Sequence, residues 1–510
     1  MPEITRRTAL RSATLGGTAA ALAAAPSIAR AATTHTGTNG TSDGFATSPS
    51  GQNLPKDNPY ADLLRDTTGA DWRAKMGGGS SLAKAYEDWE RIDPDKPLPP
   101  GRPGVDYTPV ITPNNGSLPF EIRDGVKVFH LIAEEVQHRF AEGLEAYTWG
   151  YNGVTQGPTI EAVEGERVCI YVTNRLPAPT TVHWHGFILP HGMDGVSGLE
   201  QAPILPGETF KYEWTIRQNG TFMYHSHHDT MTQEGMGLTG MFIVHPRREL
   251  YPASGPGALG PEVDREFAIM LQTWFMAPGT HRPDPFSMMF NLFTMNAHVM
   301  PDTEPLVARL GQRVRIRFGN LSAVHHHPIH LHGYEFAVTA EDGRRIPPED
   351  QDIQATIFVP VGRTKDIELV GIYEGDWVFH CHMTHHIMTQ MMPFTNTVGM
   401  ATAGRDGQAG LDEKYKELLP DFMTMGNAGM NDRTGRPMHP IPENSRPMYK
   451  GMGPFGKLSV AGMANLLKIR RDVSDTMLAN NTDPGMYRGP RATQALPVSP
   501  AEMRAAGLAV

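Results

Sequence analysis

Short apolar runs recur between turns over two long stretches of the chain. From about 119 to 248, and again from about 262 to 400, short β-branched and aromatic runs such as "ERVCIYVTN" are separated by Gly- and Pro-rich turns, the pattern of half-buried strands. Both stretches are predicted to be β-sandwiches. A helical period stands out in "SSLAKAYEDWERI", where Leu82, Ala85, Tyr86 and Trp89 share a face after a Ser cap. That helix lies within residues 33–118, otherwise rich in Gly, Ser, Thr, Asn and Pro, which read as an extension wrapping a neighbour. After 401 the pattern dissolves into Pro, Gly, Asn and Met. "GPFGKLSVAGMANLLKIRRD" nevertheless keeps enough apolar residues for one more strand, so part of the 401–510 tail is expected to dock on the body. The fold class is therefore all-β, with two tandem Greek-key β-sandwiches and irregular N- and C-terminal extensions.

The two sandwiches repeat each other. An offset of 147 takes Pro158 to Pro305, His183 to His330 and His185 to His332, and an offset of 155 takes His225 to His380 and His227 to His382. The difference fits a longer loop in the second half, around "EDGRRIPPEDQD". A repeat of about 150 residues with matched histidines is a duplicated domain.

Composition adds an address and removes some partners. The 510 residues carry a net charge of -10 with no basic stripe, which argues against a nucleic-acid partner. The first 32 residues combine Arg6 and Arg7 with a modest Ala/Leu stretch and small residues near Ala29 to Ala32, the outline of a twin-arginine signal for export to the periplasm or beyond. No later apolar run is long enough to span a bilayer, so no membrane insertion is expected. Only two cysteines occur. Cys169 lies in the apolar strand "ERVCIYVTN" and should be a small buried side chain. Cys381 is left for metal.

Four His-x-His pairs stand out: His183 and His185 in "HWHG", His225 and His227 in "YHSHH", His330 and His332 in "HPIHLHG", and His380 and His382 in "FHCHMTHH". Residues two apart on a strand point the same way. Each pair is thus a pincer, and eight imidazoles brought together need partners for sixteen ring nitrogens, which metal ions would supply. A single such pair is more often an ordinary surface or core feature. Four in symmetric positions of a repeat are not. Cys381, between His380 and His382, must face away from their pincer toward a second site on the other side of the strand. Further ligands there are His327, turned aside by Pro328, then His386 and Met391, five and ten positions after Cys381. One thiolate, two imidazoles and a weak thioether make a blue-copper electron-transfer site, whereas zinc prefers closed tetrahedral sites and has no redox chemistry.

Together "HWHG", "YHSHH", "HPIHLHG" and "HCHMTHHIMTQM" resemble the four copper-binding motifs of the multicopper oxidases, over roughly 120 to 400. The resemblance implies cupredoxin-like domains and four coppers per functional unit. His183 and His330 would hold the type 2 copper. His185, His225, His227, His332, His380 and His382 would hold the type 3 pair, and His327, Cys381, His386 and Met391 the type 1 copper. Asp194 matches an acid that supplies protons to the cluster in family members; a plain turn residue in "HGMDGVSG" is the other reading. Two departures matter. Ile387 stands where some members carry a second acid, and His228, His325, His326 and His385 crowd the motifs, leaving a one-place shift of the type 1 ligands open. By the repeat offsets Thr180, Ser226, Met231 and Met236 occupy the places of His327, Cys381, His386 and Met391, so one type 1 copper per chain is expected, in the second domain. That placement disfavours a copper nitrite reductase.

The activity implied is a laccase-like oxidation of phenols or aromatic amines, with O2 and a small reducing substrate as partners and water as product. An oxidase of Mn(II), Cu(I) or Fe(II) is the alternative, to which the Met-rich stretch "MMFNLFTMNAHVM" would contribute. A non-enzymatic copper-binding protein is the reading of another class. Only about 100 residues separate His227 from His327, too few for a third domain. In two-domain members of the family three chains close a ring, so a homotrimer is expected, with two separate four-histidine half sites in each chain.

Overall fold

The structure is a computed structural model that describes residues 81–255, 257–277, 279–391, 443–446, 451–489 and 498–507. The twin-arginine segment, the extension up to residue 80 and most of the Met-rich tail before 451 lie outside the described residues. Among the described residues no helix is long and apolar enough to cross a membrane.

The first sandwich packs two sheets. One runs Phe120–Arg123, Val126–Ala141, Arg167–Asn174, Thr209–Thr215, with Leu144–Tyr151 also paired to Val126–Ala141; the other runs Gly157–Val163, Thr239–His245, Gly220–His225, His183–His185. The second sandwich repeats this non-sequential order. Arg265–Trp274, Arg313–Asn320 and Thr364–Val370 lie at the centre of its first sheet, and its second runs Leu306–Arg309, Ala464–Arg470, Gly375–Cys381, His327–Leu331, Thr356–Val359. Both are mostly β with few helices, the cupredoxin-like class expected of the sequence. Cys169 is buried in Arg167–Asn174, and neither cysteine is in a disulfide.

Burial follows position in the layers. Val126–Ala141 alternates between core and surface along much of its length, as a half-covered strand must. Gly220–His225 and Thr239–His245 are buried at every residue, because their outer face meets the second sandwich. There Met223, Met241 and Ile243 pack on Ala268, Met270 and Leu321. Beside this apolar seam, Arg317 donates to Thr221 Oγ1 at 2.7 Å and pairs with Asp366 at 2.6 Å. Burial alone would raise the Glu266 carboxyl, but the guanidinium groups of Arg317 and Arg315 outweigh it and hold the group at about 2. Removing one partner from such a buried network costs about 3–5 kcal/mol, since the remaining charge is stranded.

Both extensions dock. The helix Ser81–Glu90 forms where its period places it. Beyond it the chain straps the two sandwiches together: Leu118 N donates to Thr159 O at 2.7 Å in the first, and Ile111 N to Glu266 O at 2.8 Å in the second. The apolar run of the tail supplies Ala464–Arg470, which inserts between Leu306–Arg309 and Gly375–Cys381. The strand that carries Cys381 therefore owes one of its two neighbours to the tail.

Candidate metal centres

The repeat offsets become cross-strand pairs. His183 lies opposite His225 in the first sandwich, and His330 opposite His380 in the second. In each sandwich the two pincers close into a quartet. His183 stands 5.7, 5.2 and 5.5 Å from His185, His225 and His227, ring centre to ring centre. His330 stands 4.9, 5.8 and 5.7 Å from His332, His380 and His382. Among the described residues no ring contact or hydrogen bond joins one quartet to the other. His332 and His382 are exposed at the surface of the chain.

Hydrogen bonds fix the ring orientations. His183 Nδ1–H donates to Asp194 O at 2.8 Å, His225 Nδ1–H to Ser226 O at 3.0 Å, His330 Nδ1–H to Ala355 O at 2.7 Å and His380 Nδ1–H to Cys381 O at 2.8 Å. With Nδ1 protonated and anchored, Nε2 keeps its lone pair and turns inward, as ligand imidazoles do. His185 Nδ1 and His225 Nε2 then face each other at 3.3 Å, and His332 Nε2 and His380 Nε2 at 3.1 Å. Burial, with the neighbouring imidazoles, pushes His185 down to about 4 and lowers His332 and His380. Each pair can share one proton as a hydrogen bond, and a cation in its place would take a lone pair from both rings. Asp194 adds a carboxylate oxygen 3.4 Å from His183 Nδ1. Burial opposes a proton on His183, but that aspartate outweighs it and raises the imidazole.

Cys381 lies on the opposite face. Its Sγ sits 3.4 Å from His386 Nδ1 and 3.7 Å from His327 Nδ1, and all three side chains are buried. Ser322 Oγ bonds His327 Nε2 at 2.8 Å, which leaves Nδ1 turned to the thiol, and Phe293 stacks on His386 at 3.9 Å. Burial pushes the thiol up to about 12; burial, then His325 and His385, pushes His386 down to about 3. A soft, borderline cation that displaces the thiol proton fits this donor set, and a carboxylate-loving ion does not. Copper fits. His326 instead accepts from Val361 N at 3.0 Å and His228 Nδ1 meets Ser197 Oγ at 2.9 Å, so these two have other partners, whereas His325, its buried Nδ1 without a hydrogen bond, stands 5.1 Å from the His386 ring. Met391 is half-buried beside the same core.

In the first sandwich the position of Met231 differs from the offset reading. Thr180 and Ser226 hydrogen-bond Gln233, not Met231, because the short helix Thr230–Gly235 turns Gln233 inward. The sequence reading also missed Glu234, whose Oε1 lies 2.9 Å from His225 Nδ1; no spacing rule connects the two.

Two sandwiches of cupredoxin type with imidazole quartets and a thiolate–imidazole cluster define a copper protein architecture. Residues 133–249 and 275–397 each match the multicopper oxidase family. The chain is 30% identical over 274 residues to copper resistance protein A of Escherichia coli, covering 44% of this chain and 43% of that protein. It is 33% identical over 136 residues to laccase-1 of Cryptococcus neoformans, covering 26% and 20%. Among solved structures it is similar to a blue copper oxidase from Nitrosomonas europaea, with a TM-score of 0.46 and 28% identity over 52% of this chain and 82% of that one. Residues 133–249 and 275–397 are multicopper oxidase domains by this match. The chain spans less than half the length of the curated relatives named here.

Proposed function

We propose that this protein oxidises a small reducing substrate one electron at a time and couples four such steps to the reduction of O2 to water. The observation that carries this reading is the strand Gly375–Cys381 and its continuation. Cys381 faces one cluster, while His380 and His382 on either side face the other. Copper bound at both would supply one-electron redox chemistry at the first and multi-electron reduction of O2 at the second. The chain's own part is orientation and exclusion. The carbonyls of Asp194, Ser226, Ala355 and Cys381 fix the tautomers of the rings they bond, Phe293 and the core keep water from Cys381, and the Asp194 carboxylate stabilises a proton on His183. A pure copper-binding protein would have no use for a covalent link between two centres.

Laccase-like oxidation of phenols and aromatic amines is the first substrate reading. A metal-ion substrate is favoured by one observation. Met288 and Met289 are 68% and 44% exposed, directly before Phe290, whose ring lies 5.2 Å from His325. Visible absorption of copper-loaded protein, with O2 consumption in the same cuvette, separates the readings. A band near 600 nm, bleached by a phenol and restored by O2, supports the first; a blue protein bleached by Cu(I), Mn(II) or Fe(II) alone supports the second; a colourless copper protein refutes both.

The separated quartets support a homotrimer in which the first quartet of one copy meets the second of its neighbour, a heterologous ring. Co-expressed His227→Ala and His382→Ala chains, each inactive alone, should then regain part of the activity. If mixing restores nothing and the protein sediments as a monomer, that arrangement is wrong. Export by the twin-arginine route, to the periplasm or outside the cell, completes the reading.

A further inference from the structure

We infer that the thioether completing the Cys381 site comes from Met463, on the strand supplied by the tail, and not from Met391, the methionine at the contiguous spacing. The inference rests on reading His327, Cys381 and His386 as a type 1 copper site.

Sheet register carries the argument. Gly375–Cys381 pairs antiparallel with Ala464–Arg470 from Gly375 opposite Ile469 to His380 opposite Ala464. One step further Cys381 stands opposite Met463, and Cys381 N donates to Met463 O at 3.0 Å. Directly opposed residues on antiparallel strands put their side chains on the same face, with Cβ atoms about 4.5–5.5 Å apart. His380 and Ala464 therefore share the quartet face, and Cys381 and Met463 share the interior face. Both of the latter are 0% exposed and belong to one core cluster with Phe293 and Val359.

The returning chain is clamped to the ligand loop. Met463 N donates to His386 O at 2.9 Å and Ala461 N to Ile387 O at 3.0 Å. Gly462, at φ 61°, passes so close that a Cβ would lie 2.2 Å from Met388 O and 2.5 Å from His386 O. Met463 is thus held by the backbone of two ligand residues. Met391 is placed differently: its N–H donates to Asn291 O at 2.8 Å, and its side chain, half-buried where Met463 is fully buried, packs on Met388 and Ala461 as well as against that core.

The first sandwich has the same arrangement without the thiolate–imidazole set. There His225 pairs with Thr239, Ser226 N donates to Leu238 O at 3.1 Å, and Gly237 has φ 114°. Leu238 is the counterpart of Met463 and Gly237 of Gly462. Fourteen positions separate His225 from Thr239, but eighty-four separate His380 from Ala464. A long excursion has opened between the ligand loop and its closing strand, and the residue at the start of that strand has left the local spacing.

The test uses the full copper-loaded chain and reads the visible and EPR spectra and the reduction potential of the blue centre. Met463→Leu, of similar volume, should raise the potential and shift the spectra, and Met463→Gln, a stronger axial donor, should lower it. Met391→Leu should match the parent in both. Copper content and circular dichroism check that each variant is folded and loaded. A changed potential in Met391→Leu, or parent-like behaviour in both Met463 variants, overturns the inference while the type 1 reading stands. A parent without the charge-transfer band, or one that keeps it in Cys381→Ser, overturns that reading and the inference with it.

Discussion

Thr180, Ser226 and Gln233 in the first sandwich occupy the place of His327, Cys381 and His386 in the second. The scaffolds agree, but the polar accounts differ. Gln233 Oε1 accepts from Thr180 Oγ1 at 2.7 Å and from Ser226 Oγ, and its Nε2 donates to Pro179 O at 2.8 Å. All three side chains are buried, and they satisfy one another, as buried polar groups in native proteins do. In the second sandwich a thiol meets two imidazole nitrogens at 3.4 and 3.7 Å, contacts wider than those of the first cluster and open to an ion between them. One cluster is complete as protein. The other is complete only with a cation, and that deficit marks a metal site better than the presence of histidine does.

The comparison breaks most sharply at Cys381. Cys381→Ser gives the second sandwich the hydroxyl of the first and should abolish the 600 nm band, while the copper held by the quartets and the melting temperature stay close to the parent. Absorption and copper analysis on the same sample check both halves. Retention of the band would show that the colour arises elsewhere. The next effect is at the two clamping glycines. Gly237→Ala and Gly462→Ala should each cost about 2 kcal/mol or more, since φ is positive at both and the new Cβ meets backbone oxygen. Both should lower the denaturation midpoint. Only Gly462→Ala should also perturb the blue spectrum, because only there does the displaced backbone belong to copper ligands.

What the sequence reveals follows from what spacing encodes. Period two within a strand places Cys381 opposite in sense to His380 and His382, and equal offsets locate the histidine pairs that the sheets set side by side. Spacing fails where the chain leaves the sheet. Gln233 and Leu238 are placed by a short helix and a tight return, so the constant offset points instead to Met231 and Met236. The strand Ala464–Arg470 is visible as an apolar run, but nothing local says that it inserts beside Cys381, because its hydrogen bonds are to segments remote in sequence. Glu234 is legible only through the fold that brings its carboxylate to His225.

The smallest effects test whether the first cluster is as self-sufficient as its hydrogen bonds imply. Gln233→Leu removes the shared acceptor and leaves the two buried hydroxyls only longer bonds, Ser226 Oγ to His228 O at 3.2 Å and to Thr180 Oγ1 at 3.3 Å, so it should cost about 2–3 kcal/mol, toward the penalty of poorly partnered buried polar groups. Thr180→Val removes a single donor at nearly constant volume. Gln233 Oε1 still accepts from Ser226, so no group is orphaned and the cost should be about 1 kcal/mol, the net value of one hydrogen bond. Neither change should touch the blue band, since the copper ligands are on other strands. Equal costs for the two variants would mean that Ser226 and Thr180 find other partners when Gln233 is lost. A cluster that tolerated both substitutions without loss would be a polar remnant, and its resemblance to the copper site would be one of position alone.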